Sequence, residues 1–404
     1  MIPFSPPRID NKTINEVIDT LKSGWITTGP KTKLFENQIT EFCGNKKTLC
    51  VNSATAGLEL VLRWFGIGKG DEVILPVYTY AATANVVVHC GAKPVFVDIN
   101  KEDFNISINE IKKHISSKTK IIMPVDFAGL PCNYNKINSL VAEKEIVERF
   151  CPNNKIQKKL GRILILSDAA HSIGAEYFNK RTGSLTDISV FSFHAVKNLT
   201  TAEGGAIAFN LPQMFDNQEI YEYFSVFSLH GQNKDALAKS QKGNWEYDIV
   251  EAGYKANMTD IMASIGLVEL ERYKNDMLIK RQSIFEAYSK EFEKYDWAEL
   301  PIFKTKEKTS SYHVYALRIK GITELQRNKV ISKIFEKNVS VNVHFKPLAM
   351  FSFYKKLGYN IDNYPIAYDN YSREISLPVY YNLSEDDIMK VINSVVESVQ
   401  SVIN

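Results

Sequence analysis

Between Thr48 and Phe209 short apolar runs alternate with helix-like segments, and this rhythm restricts the fold more than any other feature of the chain. The runs are Thr48–Val51, Glu72–Val77, Lys93–Val97, Lys120–Val125, Ile163–Leu166, Ile188–Phe193 and Ala206–Phe209. Ala56–Phe65, Tyr80–His89, Ile108–His114 and a stretch near Lys136–Val147 separate most of them. Strands that are apolar throughout are buried on both faces, and helices between them supply the crossovers of a parallel sheet. Right-handed crossovers place the strand-end loops on one edge, where ligands bind. The expectation is an α/β fold with a mostly parallel seven-stranded sheet flanked by helices.

The segments on either side read differently. Residues 9–22 form an amphipathic pattern with Ile14, Val17, Ile18 and Leu21 on one face, followed by the Gly/Pro-punctuated loop Trp25–Lys31 and a second helix over Lys33–Phe42. After Asn210 a helix is followed by a polar stretch, Gly231 to Asn244, expected to be a mobile loop. Residues 259–296 read as one long helix, broken at most once. Strands near Tyr312–Ile319 and Val339–His344, with helices near Glu324–Glu336 and Ser384–Val402, complete a smaller α+β unit. The expected division is a large domain over residues 1–269 and a small C-terminal α+β domain over 270–404, in keeping with a length too great for one simple core.

Bulk properties exclude several functions. A net charge of +3 gives no electrostatic case for nucleic acid or a membrane surface. Cys43, Cys50, Cys90, Cys132 and Cys151 are odd in number and contain no C-x-x-C pair, which argues against a disulfide framework or a zinc ribbon and for a reducing compartment. The seven histidines show no ligand spacing, so no metal site is expected. The first residues show no basic and apolar leader pattern and no run reaches membrane length, so no secretory leader is expected and the expected location is the cytoplasm. Gly66-Ile-Gly-Lys-Gly70 closes a helix instead of linking strand to helix, so it fails as a dinucleotide fingerprint.

Three stretches carry chemistry. Asn52-Ser-Ala-Thr-Ala-Gly57 follows a strand and opens a helix, where small residues and free N–H groups suit a phosphate; taken alone, it fits simple N-capping by Ser53 or Thr55 better. Ser167-Asp168-Ala-Ala-His171 ends a very apolar strand. A carboxylate there needs a cation, such as a protonated pyridine nitrogen, unless Asp168 merely caps the next helix and His171 is a core histidine. Residues 189–209 read as strand, short loop and strand, with Lys197 in the loop and the pair Gly204-Gly205 opening the second strand. Most loop lysines are simply solvated. One held between two stiff elements can instead have its pKa lowered and offer a neutral amine for Schiff-base chemistry. The order of phosphate loop, aromatic loop (Tyr78, Tyr80), strand-end Asp168 and Lys197 is that of a pyridoxal phosphate enzyme.

From Pro3 to about residue 395 the chain resembles the fold type I pyridoxal phosphate aminotransferases of the DegT-type sugar-nucleotide family. The likeness is carried by Gly24-Trp-Ile-Thr-Thr-Gly-Pro30, Asn52–Gly57, Asp168–His171, Ser192–Gly205, Gly253-Tyr-Lys-Ala-Asn257 and Ser376-Leu-Pro-Val379. The resemblance implies that Lys197 binds the cofactor aldehyde and shuttles the proton, that Asp168 pairs with the ring nitrogen, and that His171 lies near the ring hydroxyl. It further implies that Tyr80 stacks on the ring, that Thr55, Ala56 and Ser192 hold the phosphate, and that Asn257 reaches the phosphate of a neighbouring subunit in a homodimer. Thr27, Thr28, His344, Phe345 and the 231–250 loop are candidates for the sugar nucleotide, and Lys346 for its diphosphate. L-glutamate is the implied donor, with pyridoxamine 5'-phosphate in the half-reaction. Gly24–Lys31 and Ser192–Gly205 most resemble relatives that aminate C4 of UDP-4-keto sugars for polysaccharide or glycan precursors. A 3-aminotransferase acting on a dTDP-3-keto-6-deoxy sugar is the alternative. A 3-dehydratase would carry His in place of Lys197, and a non-catalytic regulator finds no DNA-binding helix pair or basic patch. Two stretches depart from the family: Glu145 to Arg162, expected as a surface insertion, and residues 232–248.

Overall fold

All seven apolar runs become strands of one sheet in the computed structural model, which describes residues 1–234 and 246–403. They are β1 (Lys47–Val51), β2 (Glu72–Pro76), β3 (Lys93–Val97), β4 (Thr119–Ile122), β5 (Leu164–Asp168), β6 (Ile188–Ser192) and β7 (Gly205–Phe209). Across the sheet the order is β1-β7-β6-β5-β4-β2-β3. Only β7 runs antiparallel to its neighbours, β1 and β6. Every residue of β5, β6 and β7 is buried, which is why these strands carry no polar alternation.

Register brings the strand ends together. Val51 and Ser192 both lie opposite Gly205, and Asp168 is level with Val190. Helix α3 (Ala54–Trp64) starts just beyond β1 and lies back over the sheet. It comes so close that a Cβ on Gly57 would sit 2.9 Å from Val190 and 3.2 Å from Ile207. Helix α4 (Ala81–His89) follows β2 in the same way.

A second, antiparallel sheet joins β8 (Ala298–Glu299), β9 (Tyr315–Ile319) and β10 (Glu374–Leu377). Its core gathers Ile2 with Ile284, Phe285, Tyr288, Leu317, Ile375 and Val395, whereas Leu348, Tyr354, Ala367 and Tyr371 join the core of the large sheet. The helix Asp260–Arg272 continues through one π turn, Tyr273–Met277, into Leu278–Phe292. Among the described residues no helix is long and apolar enough to cross a membrane.

The fold corrects several expectations. Val339–His344 is not a strand. Its pairing is split between an isolated bridge from Val339 to Ile2 and another from Asn342 to Ser376, so no ladder runs through it. The stretch from Glu145 to Arg162 lies mostly at the surface, as expected, but is anchored: Ile146, Phe150 and Leu160 are buried, and Asn154 and Gln157 donate to the Phe65 carbonyl at 3.0 and 2.8 Å. That carbonyl lies beyond the end of α3 and would otherwise lack a partner. Helix α1 (Asn11–Lys22) forms, but its apolar face turns outward, with Ile14, Ile18 and Leu21 exposed by 45, 40 and 53 % while Thr13 and Thr20 are buried. Ion pairs tie the helix to the chain: Arg272 reaches Asp10 at 2.7 Å and Lys31 reaches Glu16 at 2.7 Å. Most of the polar stretch Gly231 to Asn244 lies outside the described residues.

Candidate active site

The edge where β1, β5 and β6 end opens into a cavity of about 330 Å³. Its first wall is the start of α3. Ser53 is extended and its Oγ accepts from Ala56 N at 3.1 Å, so it caps the helix and directs the first turn at the cavity. Strand β7 passes directly behind this turn because residue 205 has no side chain; a Cβ there would lie 2.6 Å from Ala54 N and 2.8 Å from Phe191 O. Thr55 lines the cavity, as does Ser192 at the end of β6. Ala56 does not line it, and its N–H donates to Ser53 Oγ.

Asp168 ends β5 and is only 7 % exposed. Its carboxylate accepts from Thr83 Oγ1 at 2.7 Å and Ala170 N at 3.2 Å but makes no ion pair with any described residue. Burial raises its pKa, opposed by those two hydrogen bonds and the Lys197 charge. Thr83 is braced in turn by Thr79, 2.8 Å away.

Lys197 projects from a loop that is closed at its neck. Phe193 N donates to Gly204 O at 2.9 Å and Thr201 N to Phe193 O at 2.8 Å, and Asn198 Nδ2 fastens the loop to Ser311 O at 2.6 Å. Desolvation brings the Lys197 amine down to about 8, although the Asp168 charge works the other way. A substantial fraction is therefore the neutral, nucleophilic amine near physiological pH.

His171 sits opposite. Its Nδ1 is buried without a hydrogen-bond partner, and its ring lies 4.2 Å from that of His313 and 5.8 Å from Phe345. Burial, then the Lys197 charge, holds its pKa well below the ordinary value, so the ring is neutral. Tyr80 lines the mouth, 66 % exposed, with its ring 6.1 Å from that of Phe345.

His344 and Phe345 also line the cavity, but the remaining expected residues do not. Lys346 is exposed beside Phe351. Thr27, Thr28 and Asn257 collect beyond β1: Asn257 bridges to Val51 on that edge strand and donates to Thr28 Oγ1 at 2.6 Å, while Thr27 O accepts from Asp260 N at 3.1 Å. Sequence reasoning missed Phe4, His313, Thr79 and Thr83, which reach the site from the N-terminus, the segment before β9, the loop after β2 and α4. Nothing in their spacing marks them, because chain reversal and domain packing alone bring them there.

Pyridoxal 5'-phosphate fits this arrangement. An uncompensated buried carboxylate suits a protonated ring nitrogen, an unpartnered buried imidazole nitrogen suits the ring hydroxyl, and a helix N-terminus backed by a glycine suits the phosphate.

The profile of the DegT/DnrJ/EryC1/StrS aminotransferase family matches residues 7–148 and 153–396. The chain belongs to this family. The gap in the match falls inside the 145–162 stretch, which the fold uses to cap α3. Among solved structures, Spr1654 from Streptococcus pneumoniae, provisionally called a sugar aminotransferase, superposes in its pyridoxamine phosphate form with a TM-score of 0.95 at 44% identity, covering 100% of both chains. It is also known in a pyridoxal phosphate form. PseC from Helicobacter pylori, an aminotransferase of pseudoaminic acid biosynthesis, superposes with a TM-score of 0.85 at 29% identity over 99% of each chain. The spore coat polysaccharide biosynthesis protein SpsC of Bacillus subtilis is 35% identical over 401 residues, 98% of this chain and 96% of that one.

Proposed function

We propose that this aminotransferase moves an amino group from L-glutamate to a nucleotide-linked keto-sugar, at C4 of a UDP-4-keto sugar, in the synthesis of a polysaccharide or glycan precursor. The observation that carries the reading is the meeting of Lys197, Asp168 and the unpartnered His171 in one cavity at a helix N-terminus. SpsC and PseC, named for polysaccharide and pseudoaminic acid synthesis, support the sugar class.

When bound, pyridoxal phosphate supplies an aldehyde for the incoming amine and an electron sink for the neighbouring carbon, and stores the amino group between half-reactions. Asp168 holds a proton on the ring nitrogen, His171 orients the ring hydroxyl, and Tyr80 covers the ring face. Thr55, Ser192 and the first turn of α3 bind the phosphate; Ala56 contributes through the helix it continues. Lys197 Nζ takes the proton from one carbon and returns it to the next, a task for which a pKa of about 8 suits it. His344, Phe345 and Lys346 receive the sugar nucleotide, with Thr27 and Thr28 contributing.

Asn257 completes the phosphate site of a second copy. The outward apolar face of α1 supports a homodimer, since Ile14, Ile18 and Leu21 form a stripe at helical spacing that this chain leaves uncovered. Sedimentation of the parent and of an Ile14→Asp, Ile18→Asp variant tests this: a monomeric parent overturns the dimer. The reaction is tested by adding glutamate to the loaded protein and following the cofactor absorbance, then supplying a panel of UDP- and dTDP-linked 3- and 4-keto sugars. No spectral change with glutamate sinks the amino transfer. Amination at C3 of a dTDP sugar replaces the C4 assignment.

A further inference from the structure

His344 is fixed from behind by two residues that no cofactor contact requires. Its Nδ1 lies 2.8 Å from Ser376 Oγ, and Ser376 Oγ is hydrogen-bonded to Glu374 Oε1. The other carboxylate oxygen, Oε2, accepts from His344 N at 3.0 Å. Residues 374 and 376 are two apart on β10, so their side chains share one face of the strand. The bridge between Asn342 and Ser376, with N–H···O distances of 3.1 and 2.8 Å, holds the His344 segment over that face. With Nδ1 engaged behind it, the other ring nitrogen, Nε2, is left for the cavity that His344 lines.

Glu374 is fully buried, and no cation among the described residues pairs with its carboxylate. The nearest arginines are committed elsewhere: Arg327 donates to the backbone carbonyls of Tyr371 and Glu374 at 2.7 and 2.8 Å, and Arg318 pairs with Glu299 at 2.9 Å. Tyr78 spends its hydroxyl on the His344 carbonyl at 2.7 Å. On the cavity side His344 is faced by Lys197, His171 and His313.

We propose that His344, Ser376 and Glu374 form a proton relay that carries a proton from the cavity to the buried carboxylate without charging the imidazole. The proposal rests on amino transfer taking place in this cavity. An amino donor arrives as a primary ammonium and must lose one proton before its nitrogen can attack. That proton bonds to His344 Nε2, the proton on Nδ1 passes to Ser376 Oγ, and the serine's own proton passes to Glu374 Oε1. One proton has moved, the imidazole has changed tautomer but not charge, and the carboxylate is neutralised. The reverse sequence returns the proton. Burial favours this division of labour. It holds the His344 imidazolium down at about 4, with Lys197 adding to the effect, and lifts the Glu374 acid to about 8 against the Ser376 hydrogen bond. A proton entering the relay is therefore stable at the carboxylate and not on the ring.

The test is a pH titration of the ¹⁵N-histidine-labelled protein, both free of cofactor and loaded with it, with His344 assigned through His344→Asn. The relay requires a neutral ring throughout, with the proton on Nδ1 above about pH 8 and on Nε2 below it. In Glu374→Gln the tautomer must stop changing with pH, and the glutamate half-reaction near pH 9, where the parent carboxylate is free to take the proton, must slow about 100-fold or more, as expected for loss of a proton-transfer group. A parent ring that keeps one tautomer from pH 6 to 10, or that becomes an imidazolium, overturns the relay even if the variants do not fold. An unaltered pH–rate profile in Glu374→Gln does the same. If the parent fails to convert glutamate while its tautomer switches, the assigned reaction fails and the relay stands.

Discussion

Asp168→Asn should make the cofactor-free protein slightly more stable and the loaded enzyme far less active. The parent carboxylate is buried with two neutral donors and no ion pair among the described residues. A carboxyl whose pKa is raised by folding contributes stability while protonated, and this is lost as pH rises from 3.8 through the folded value. At pH 7 the empty fold therefore carries a charge it would rather not have. Asparagine keeps the shape and an acceptor for Ala170 N, and the Thr83 hydroxyl can turn to Thr79, 2.8 Å away. Relief of a poorly satisfied buried charge is worth about 1–3 kcal/mol. The unfolding entropy of a chain this long is roughly 0.8 kcal/mol/K, so the melting temperature should rise by about 1–4 °C at pH 7. As the pH is lowered the gain should shrink, because the raised pKa lets the parent carboxyl take up a proton. With cofactor the sign reverses: removing one partner of a buried pair costs about 3–5 kcal/mol, or roughly 10²- to 10⁴-fold in the glutamate half-reaction. Thermal melts with and without cofactor, together with single-turnover absorbance, read both effects. A variant within tenfold of the parent rate, or one whose empty form melts several degrees lower, would refute the reasoning.

Substitutions at three further positions follow from the geometry. In the cofactor-free protein Lys197 should react with an amine-selective acylating reagent with a midpoint near pH 8, well below ordinary lysines, and Lys197→Ala should lose turnover by at least about 10³-fold. Gly205→Ala sets a Cβ against the α3 backbone at 2.6 Å; overpacking of about 1–3 kcal/mol should weaken cofactor binding about 10- to 100-fold in equilibrium titrations. Asp260 accepts from Gly29 N, Lys31 N, Thr32 N and Thr32 Oγ1 at 2.7–3.1 Å, capping the helix Pro30–Cys43 from a distant part of the chain. Asp260→Ala should cost about 2–3 kcal/mol in denaturant melts, with Asp260→Asn recovering part of it.

The sequence by itself determined the sheet and the order of its chemical groups. Short, mainly apolar runs alternating with helical segments read as strands of a covered sheet, so all seven were legible, and Asn52–Gly57, Asp168 and Lys197 lie at or beyond strand ends because small, acidic and basic residues are tolerated there more readily than within them. Short-range signals of this kind end where long-range charge takes over. The stripe Ile14–Ile18–Leu21 announced a buried face, yet it lies exposed while Asp10 is held by Arg272, and no local pattern reveals a partner some 260 residues away. Val339–His344 has the composition of a strand, but its hydrogen bonds are divided between Ile2 and Ser376. The same division seats His344 over Ser376 and Glu374. Only tertiary structure could decide that three dispersed polar residues line up behind the cavity, because burial, and not residue type, makes that carboxylate a place to keep a proton.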